Sequence, residues 1–144
     1  MALAISLGRR NLGQTSPNPS VGCVIVKNDV IIGRGYTAPN GRPHAETQAL
    51  EQAGSAAKGA TAYITLEPCS HEGKTPPCAH ALVKAGIKRA VIAAIDPDIR
   101  VNGKGIYILE AAGIEVKVGV LSDQASLDHS GFFSSQTECR PWVA

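Results

Sequence analysis

Apolar and polar positions alternate along this chain in short blocks, and the period changes from block to block. Residues 1–12 carry apolar positions at helical spacing and predict a short amphipathic helix. Residues 13–20 hold Pro17, Asn18 and Pro19, which regular helix and central strand both exclude, so they form a loop. The β-branched run 21–27, the tight-turn pair Asn28-Asp29 and the run 30–36 predict a hairpin. Pro43 suits a first helical position and opens a helix to about residue 57. A strand follows over 60–66, then a loop containing Pro and Gly over 67–75. Pro76-Pro77 starts a further helix ending near Gly86. Residues 89–95 are almost unbroken in apolar character, as in a strand buried on both faces. A helix over 103–112 closed by Gly113, a strand over 114–118 and a helix from 121 to about 133 complete the pattern. Residues 134–144 read as a loop or linker.

A hairpin followed by β-α units predicts an α/β fold, with a mixed sheet of about five strands between helix layers. The expected domain is 1–133, with 134–144 as a tail or the start of a linker. At 144 residues, 44% apolar and 18% charged, the chain matches one globular domain and neither a disordered nor a fibrous protein. The formal net charge of +2, with no basic run, gives no footprint for nucleic acid. No apolar stretch is long enough for a bilayer. Arg9 and Arg10 follow the apolar start where a secretory signal would place them before it. A cytoplasmic protein without membrane or nucleic-acid partners is expected, and its four cysteines point to metal or catalysis before disulfides.

Three soft-metal ligands stand out: His44 in Pro-His-Ala-Glu, Cys69 in Glu-Pro-Cys-Ser and Cys78 in Pro-Pro-Cys-Ala. An imidazole and two thiolates suit zinc. Three protein ligands leave a fourth position for water, and zinc lowers the pKa of such a water to roughly 7. Glu46 follows His44 by two residues, and in mid-helix that spacing would turn the two side chains apart. At the first turn of a helix both can face one pocket. Cys78 stands just past its prolines in the same kind of place, where unpaired amides favour a thiolate. The competing readings are a satisfied core histidine with two buried thiols, or a closed structural zinc site with His71 as fourth ligand. Cys23 reads as a small core residue, Cys139 as uninvolved, and His80 and His129 as helix residues without a role. Gly33-Arg34-Gly35 and Gly103-Lys104-Gly105 lack the spacing of phosphate-binding loops and read as turns, with Lys104 at most a weak phosphate candidate.

The ordered set resembles the zinc nucleobase deaminases, whose pattern is His-x-Glu followed by Pro-Cys-x-x-Cys. Here eight residues separate Cys69 from Cys78 where that pattern has two. The insertion Ser-His-Glu-Gly-Lys-Thr-Pro-Pro narrows the resemblance to the deaminase domain of bifunctional riboflavin biosynthesis proteins. The likeness runs through residues 15–22, 43–46, 65–71, 74–78, 103–105 and 112–114. It implies a three-layer α/β/α sandwich of the cytidine-deaminase-like type, one catalytic zinc on His44, Cys69 and Cys78, and Glu46 as proton shuttle. It also implies a phosphorylated pyrimidine substrate that loses an exocyclic amine, a homo-oligomer, and reductase activity from a separate or missing domain. Asn18, Thr37, His71, Lys74, Asp96 and Asp98 fall where the resemblance places substrate contacts. Thr37 stands where a His commonly follows Gly-Tyr, and Asp98-Ile99 replaces a common Asn-Pro. Deaminases of cytidine, guanine or tRNA adenosine, and a non-catalytic binding module of the same fold, are the alternative readings.

Overall fold

The computed structural model describes residues 1–73, 75–98 and 102–137. Five strands, β1 (Gly22–Lys27), β2 (Val30–Tyr36), β3 (Thr61–Leu66), β4 (Arg89–Ala94) and β5 (Glu115–Val118), form one sheet in the order β2-β1-β3-β4-β5. β1 runs antiparallel to both β2 and β3, while β3, β4 and β5 are parallel, so the expected mixed sheet is present. The helices are α1 (Ala2–Gly8), α2 (Ala45–Ala53), α3 (Cys78–Lys84), α4 (Lys104–Ala111), α5 (Ser122–Asp128) and α6 (Ser130–Thr137).

Strand alternation divides the buried side chains between two faces. Cys23 and Ile25 of β1, Ile64 and Leu66 of β3 and Ile92 of β4 join Ala45, Ala49, Leu82 and Leu109 of the helices in the main core. Val24 turns to the other face and packs with Ala4 and Leu7 of α1. α5 covers β4. Helices on both faces give the three-layer architecture. No helix among the described residues is long and apolar enough to cross a membrane.

Several predicted boundaries move. The first helix is α-helical only to Gly8 and tightens into a 3-10 turn over Arg9–Asn11. The second begins at Ala45 and not Pro43, because His44 has extended backbone (φ −69°, ψ 160°) and serves as its flanking residue. The third begins at Cys78, after both prolines. Gly33 and Gly35 are strand residues, not turn residues. A Cβ on Gly33 would stand 2.2 Å from the Ala49 carbonyl oxygen, and one on Gly35 would stand 2.1 Å from that of Ala45. α2 therefore lies on β2 at a distance that only glycine permits. The last predicted helix breaks at His129 (φ −89°, ψ 2°) and resumes as α6, which continues to Thr137 into the stretch expected to be irregular. Lys74, Ile99 and Cys139 lie outside the described residues.

Candidate metal centre

β3 ends at Leu66, and the chain then turns through Glu67, Pro68 and Cys69 before α3 begins at Cys78. α2, which packs on β2 and β1, starts with His44 as its flanking residue. His44, Cys69 and Cys78 thereby meet although they are far apart in sequence, and their ligand atoms all lie within 4.8 Å of one another. His44 Nδ1 is 3.4 Å from Cys78 Sγ and 3.9 Å from Cys69 Sγ. Ligands held at zinc's usual bond lengths in a tetrahedron stand roughly 3.5–3.8 Å apart, so these separations fit that ion. Among the described residues these three form the one His/Cys/Asp/Glu group with metal-binding spacing, and His71 is not in it. Three ligands among the described residues would leave a fourth position for water, as catalytic zinc sites do.

The backbone secures the cysteines. Cys78 N–H donates to Cys69 Sγ at 3.1 Å, and Ala79 N–H donates to the Cys69 carbonyl at 3.1 Å. Thus the first amides of α3, which have no partner within the helix, are spent on Cys69. A hydrogen bond from the Cys78 thiol, aided by His44, holds the Cys69 thiol down at about 4. The Cys78 thiol is pushed upward by the same bond and by burial. Without metal the pair thus keeps one proton on Cys78 and a thiolate at Cys69, and metal binding displaces that proton. The hydrogen bond to Cys69 also raises the His44 imidazole, against the effect of burial. Its Nε2 is buried without a hydrogen-bond partner among the described residues. A metal on Nδ1 would leave the ring proton on Nε2.

Glu46 sits in the first turn of α2, 4% exposed. Burial, and then the Cys69 thiolate, push its carboxyl up to about 7. It also lies close enough to Cys23 for its charge to act there, although burial is the main cause that raises that thiol. Cys23 is fully enclosed in the core.

The described resemblance-based contacts lie in the loops that follow α1, β2, β3 and β4. Asn18 Nδ2 donates to the Gly41 carbonyl at 2.9 Å and ties loop 13–20 to the turn before α2. Thr37 is 1% exposed, and its hydroxyl accepts from Val21 N–H at 2.9 Å, so the structure uses it inside the fold. Asp96 Oδ1 accepts from Asp98 N–H at 2.9 Å. Burial raises the Asp96 carboxyl, and the exposed His71 lies near enough to oppose that. Asp98 takes part in the same turn, its carbonyl accepting from Asn102 N–H at 2.8 Å. Arg42, which the sequence reading passed over, donates to Thr75 Oγ1 at 3.0 Å and puts a cation beside His44. Only its position next to the Pro-His-Ala-Glu motif could have singled it out. His80 is exposed on α3, outside the metal group, and His129 is buried against Phe133.

Residues 1–94 match the family model of the cytidine and deoxycytidylate deaminase zinc-binding region. This chain belongs to that deaminase family. The deaminase is 50% identical to the diaminohydroxyphosphoribosylamino-pyrimidine deaminase of Buchnera aphidicola (from Schizaphis graminum), across 92% of this chain and 90% of that protein. It is 51% identical to the riboflavin biosynthesis protein RibD of Aquifex aeolicus, across 99% of this chain but 40% of the relative. The solved structure of Acinetobacter baumannii RibD superposes with a TM-score of 0.94 at 54% identity, again across 99% of this chain and 40% of the other. The deaminase thus spans about two fifths of the length of the RibD relatives it matches. The family is zinc-binding, and His44, Cys69 and Cys78 are the residues positioned to hold the ion.

Proposed function

We propose that this deaminase hydrolyses the 2-amino group of 2,5-diamino-6-ribosylamino-4(3H)-pyrimidinone 5′-phosphate, giving the pyrimidinedione and ammonia in riboflavin biosynthesis. The observation that carries the chemistry is Glu46: a buried carboxyl poised near neutral pH, two residues beyond a metal ligand and in the same helix turn. The substrate is supported by the eight-residue insertion between Cys69 and Cys78 and by relatives of that name at half identity.

Zinc held by His44, Cys69 and Cys78 supplies Lewis acidity and a water acidified to about pKa 7. Glu46 takes a proton from the attacking water and delivers it to the ring nitrogen beside the amine-bearing carbon. A second transfer through the same carboxylate protonates the departing amine, so one water is consumed and one ammonia released. A carboxyl near neutral pH suits both directions of transfer. Asn18, His71, Asp96 and Asp98 are assigned by the resemblance to a rim where they would orient the ring and ribosyl phosphate, and Lys74 is assigned to the phosphate end. Thr37 would act from behind this surface, through Val21. The cytoplasm is the assigned compartment, and a homo-oligomer the assigned state. Reduction of the product belongs to a reductase domain like that of the longer relatives.

The test is ammonia release from this substrate by zinc-loaded protein beside Glu46→Ala. Turnover should fall by a factor of about 10²–10⁴ or more while one zinc per chain stays bound. Zinc-loaded wild type that is inert toward this substrate, and toward cytidine and adenosine as well, would overturn the enzyme reading.

A further inference from the structure

α4 begins without a cap of its own. Its flanking residue is Gly103, at φ +78°, which has no side chain to offer the first amides. The cap comes from Glu67, 36 residues earlier in sequence. Gly103 N–H donates to both carboxylate oxygens, at 2.8 and 3.1 Å, and Gly105 N–H reaches the same group. Glu67 is buried, and its own N–H donates to the Ala94 carbonyl at 2.9 Å. Pro68, also buried, puts its carbonyl oxygen where a Cβ on Gly105 would be, 2.1 Å away. Cys69 comes next and is held from the far side by the amides of Cys78 and Ala79. The three residues 67–69 are thus gripped by the end of β4, the start of α4 and the start of α3.

We propose that Glu67 is a positioning residue for the metal centre: its carboxylate latches the start of α4 onto the strand end that presents Cys69. The role does not require contact with metal or substrate. With the latch gone, the backbone of 67–69 keeps its bonds to β4 and α3 but loses the third support, and the Cys69 thiolate gains freedom to leave the ion. The inference rests on the zinc ligands and not on the identity of the substrate.

The experiment is the rate at which zinc-loaded protein gives up its ion to an excess of chromogenic chelator under native conditions. Glu67→Ala should release zinc at least about tenfold faster, the usual scale for removing an outer support of a metal ligand. Glu67→Gln, which keeps one oxygen for Gly103, should fall between Ala and wild type, and it preserves the test if the alanine variant does not fold. Leu109→Ala loosens α4 from the core without touching the latch and serves as a control for general destabilisation. It should lower the melting temperature yet release zinc at close to the wild-type rate. Wild-type release from both Glu67 variants would overturn the proposal. So would equal acceleration in Leu109→Ala at matched melting temperature, since the carboxylate would then be only a helix cap. Both outcomes are read without turnover, so they stand apart from any failure of the deamination assay.

Discussion

At the metal end, His44, Glu46 and Cys78 come from the starts of two helices, and each is fixed by backbone within a residue or two of itself. At the proposed rim, Asn18, His71, Asp96 and Asp98 come from three separate loops, where Asn18 is tied to the Gly41 turn and Asp96 to its own turn. The first region is determined by where a helix begins. The second is determined by which loops lie beside each other. A helix start can be moved only by moving a helix, whereas a rim contact can be exchanged between homologous positions while the chemistry stays. Both departures of this chain, Thr37 and Asp98, lie outside the metal end, where His44, Glu46, Cys69 and Cys78 all match the family pattern.

The largest effect should come from displacing α2. Gly35→Ala would push a Cβ to 2.1 Å from the Ala45 carbonyl oxygen, and Ala45 stands between His44 and Glu46. Overpacking of this kind costs about 1–3 kcal/mol. A shift of about 1 Å at the reacting groups can cost on the order of 10² in turnover. Gly33→Ala makes a similar collision, 2.2 Å from the Ala49 carbonyl, one turn further along the same helix. Unfolding by denaturant should show comparable losses for the two variants, and deamination assays should show a much larger loss for Gly35→Ala. Losses of activity that simply follow stability in both variants would break the distinction between metal end and remainder.

How far the sequence carried follows the same division. The metal ligands and Glu46 were legible because their chemistry depends on residue type at short spacing, and Pro-His-Ala-Glu and Pro-Pro-Cys declare helix starts locally. The strands were legible from β-branched runs, and their mixed order followed from a hairpin leading into β-α units. Other features are properties of approach between distant segments. Gly33 and Gly35 looked like turn residues because nothing in their neighbours reveals that α2 crosses over them. Glu67 falls in the loop predicted over 67–75, and nothing local sets it apart, since its partners Gly103 and Gly105 are tens of residues away. Thr37 was placed at the substrate by its position in a motif, and only the fold shows its hydroxyl turned to Val21.

Thr37 therefore gives a smaller and sharper test of the rim. Thr37→Val keeps the shape and removes the acceptor for Val21 N–H, a buried amide. Leaving such a group unpaired costs about 1–3 kcal/mol. Denaturant titration should show that loss while KM for the proposed substrate stays within about twofold. A rise in KM on the order of tenfold at unchanged stability would place the hydroxyl on the substrate and return Thr37 to the rim contacts.

The smallest effect should come from a buried group outside the metal set. His129 is 2% exposed, its ring lies tilted at 5.8 Å from the Phe133 ring, and the Thr65 backbone and Asp128 favour its protonated form but are outweighed by burial. Burial is the main cause that lowers its imidazole from the ordinary value of 6.5. Between the lowered folded value and 6.5, the unfolded chain binds the proton and the folded chain does not, so stability rises with pH across that window. The contribution is complete above 6.5 and is lost as pH falls through the folded value. His129→Phe keeps a ring against Phe133 and removes the group that must be neutral. Denaturant midpoints of metal-free wild type and variant, taken from pH 7 downward, should diverge only below about 6.5, with the variant losing less. Equal slopes for both proteins would mean that His129 reaches a partner when protonated. The acid sensitivity would then belong to groups held below their ordinary value in the fold, such as the Cys69 thiol.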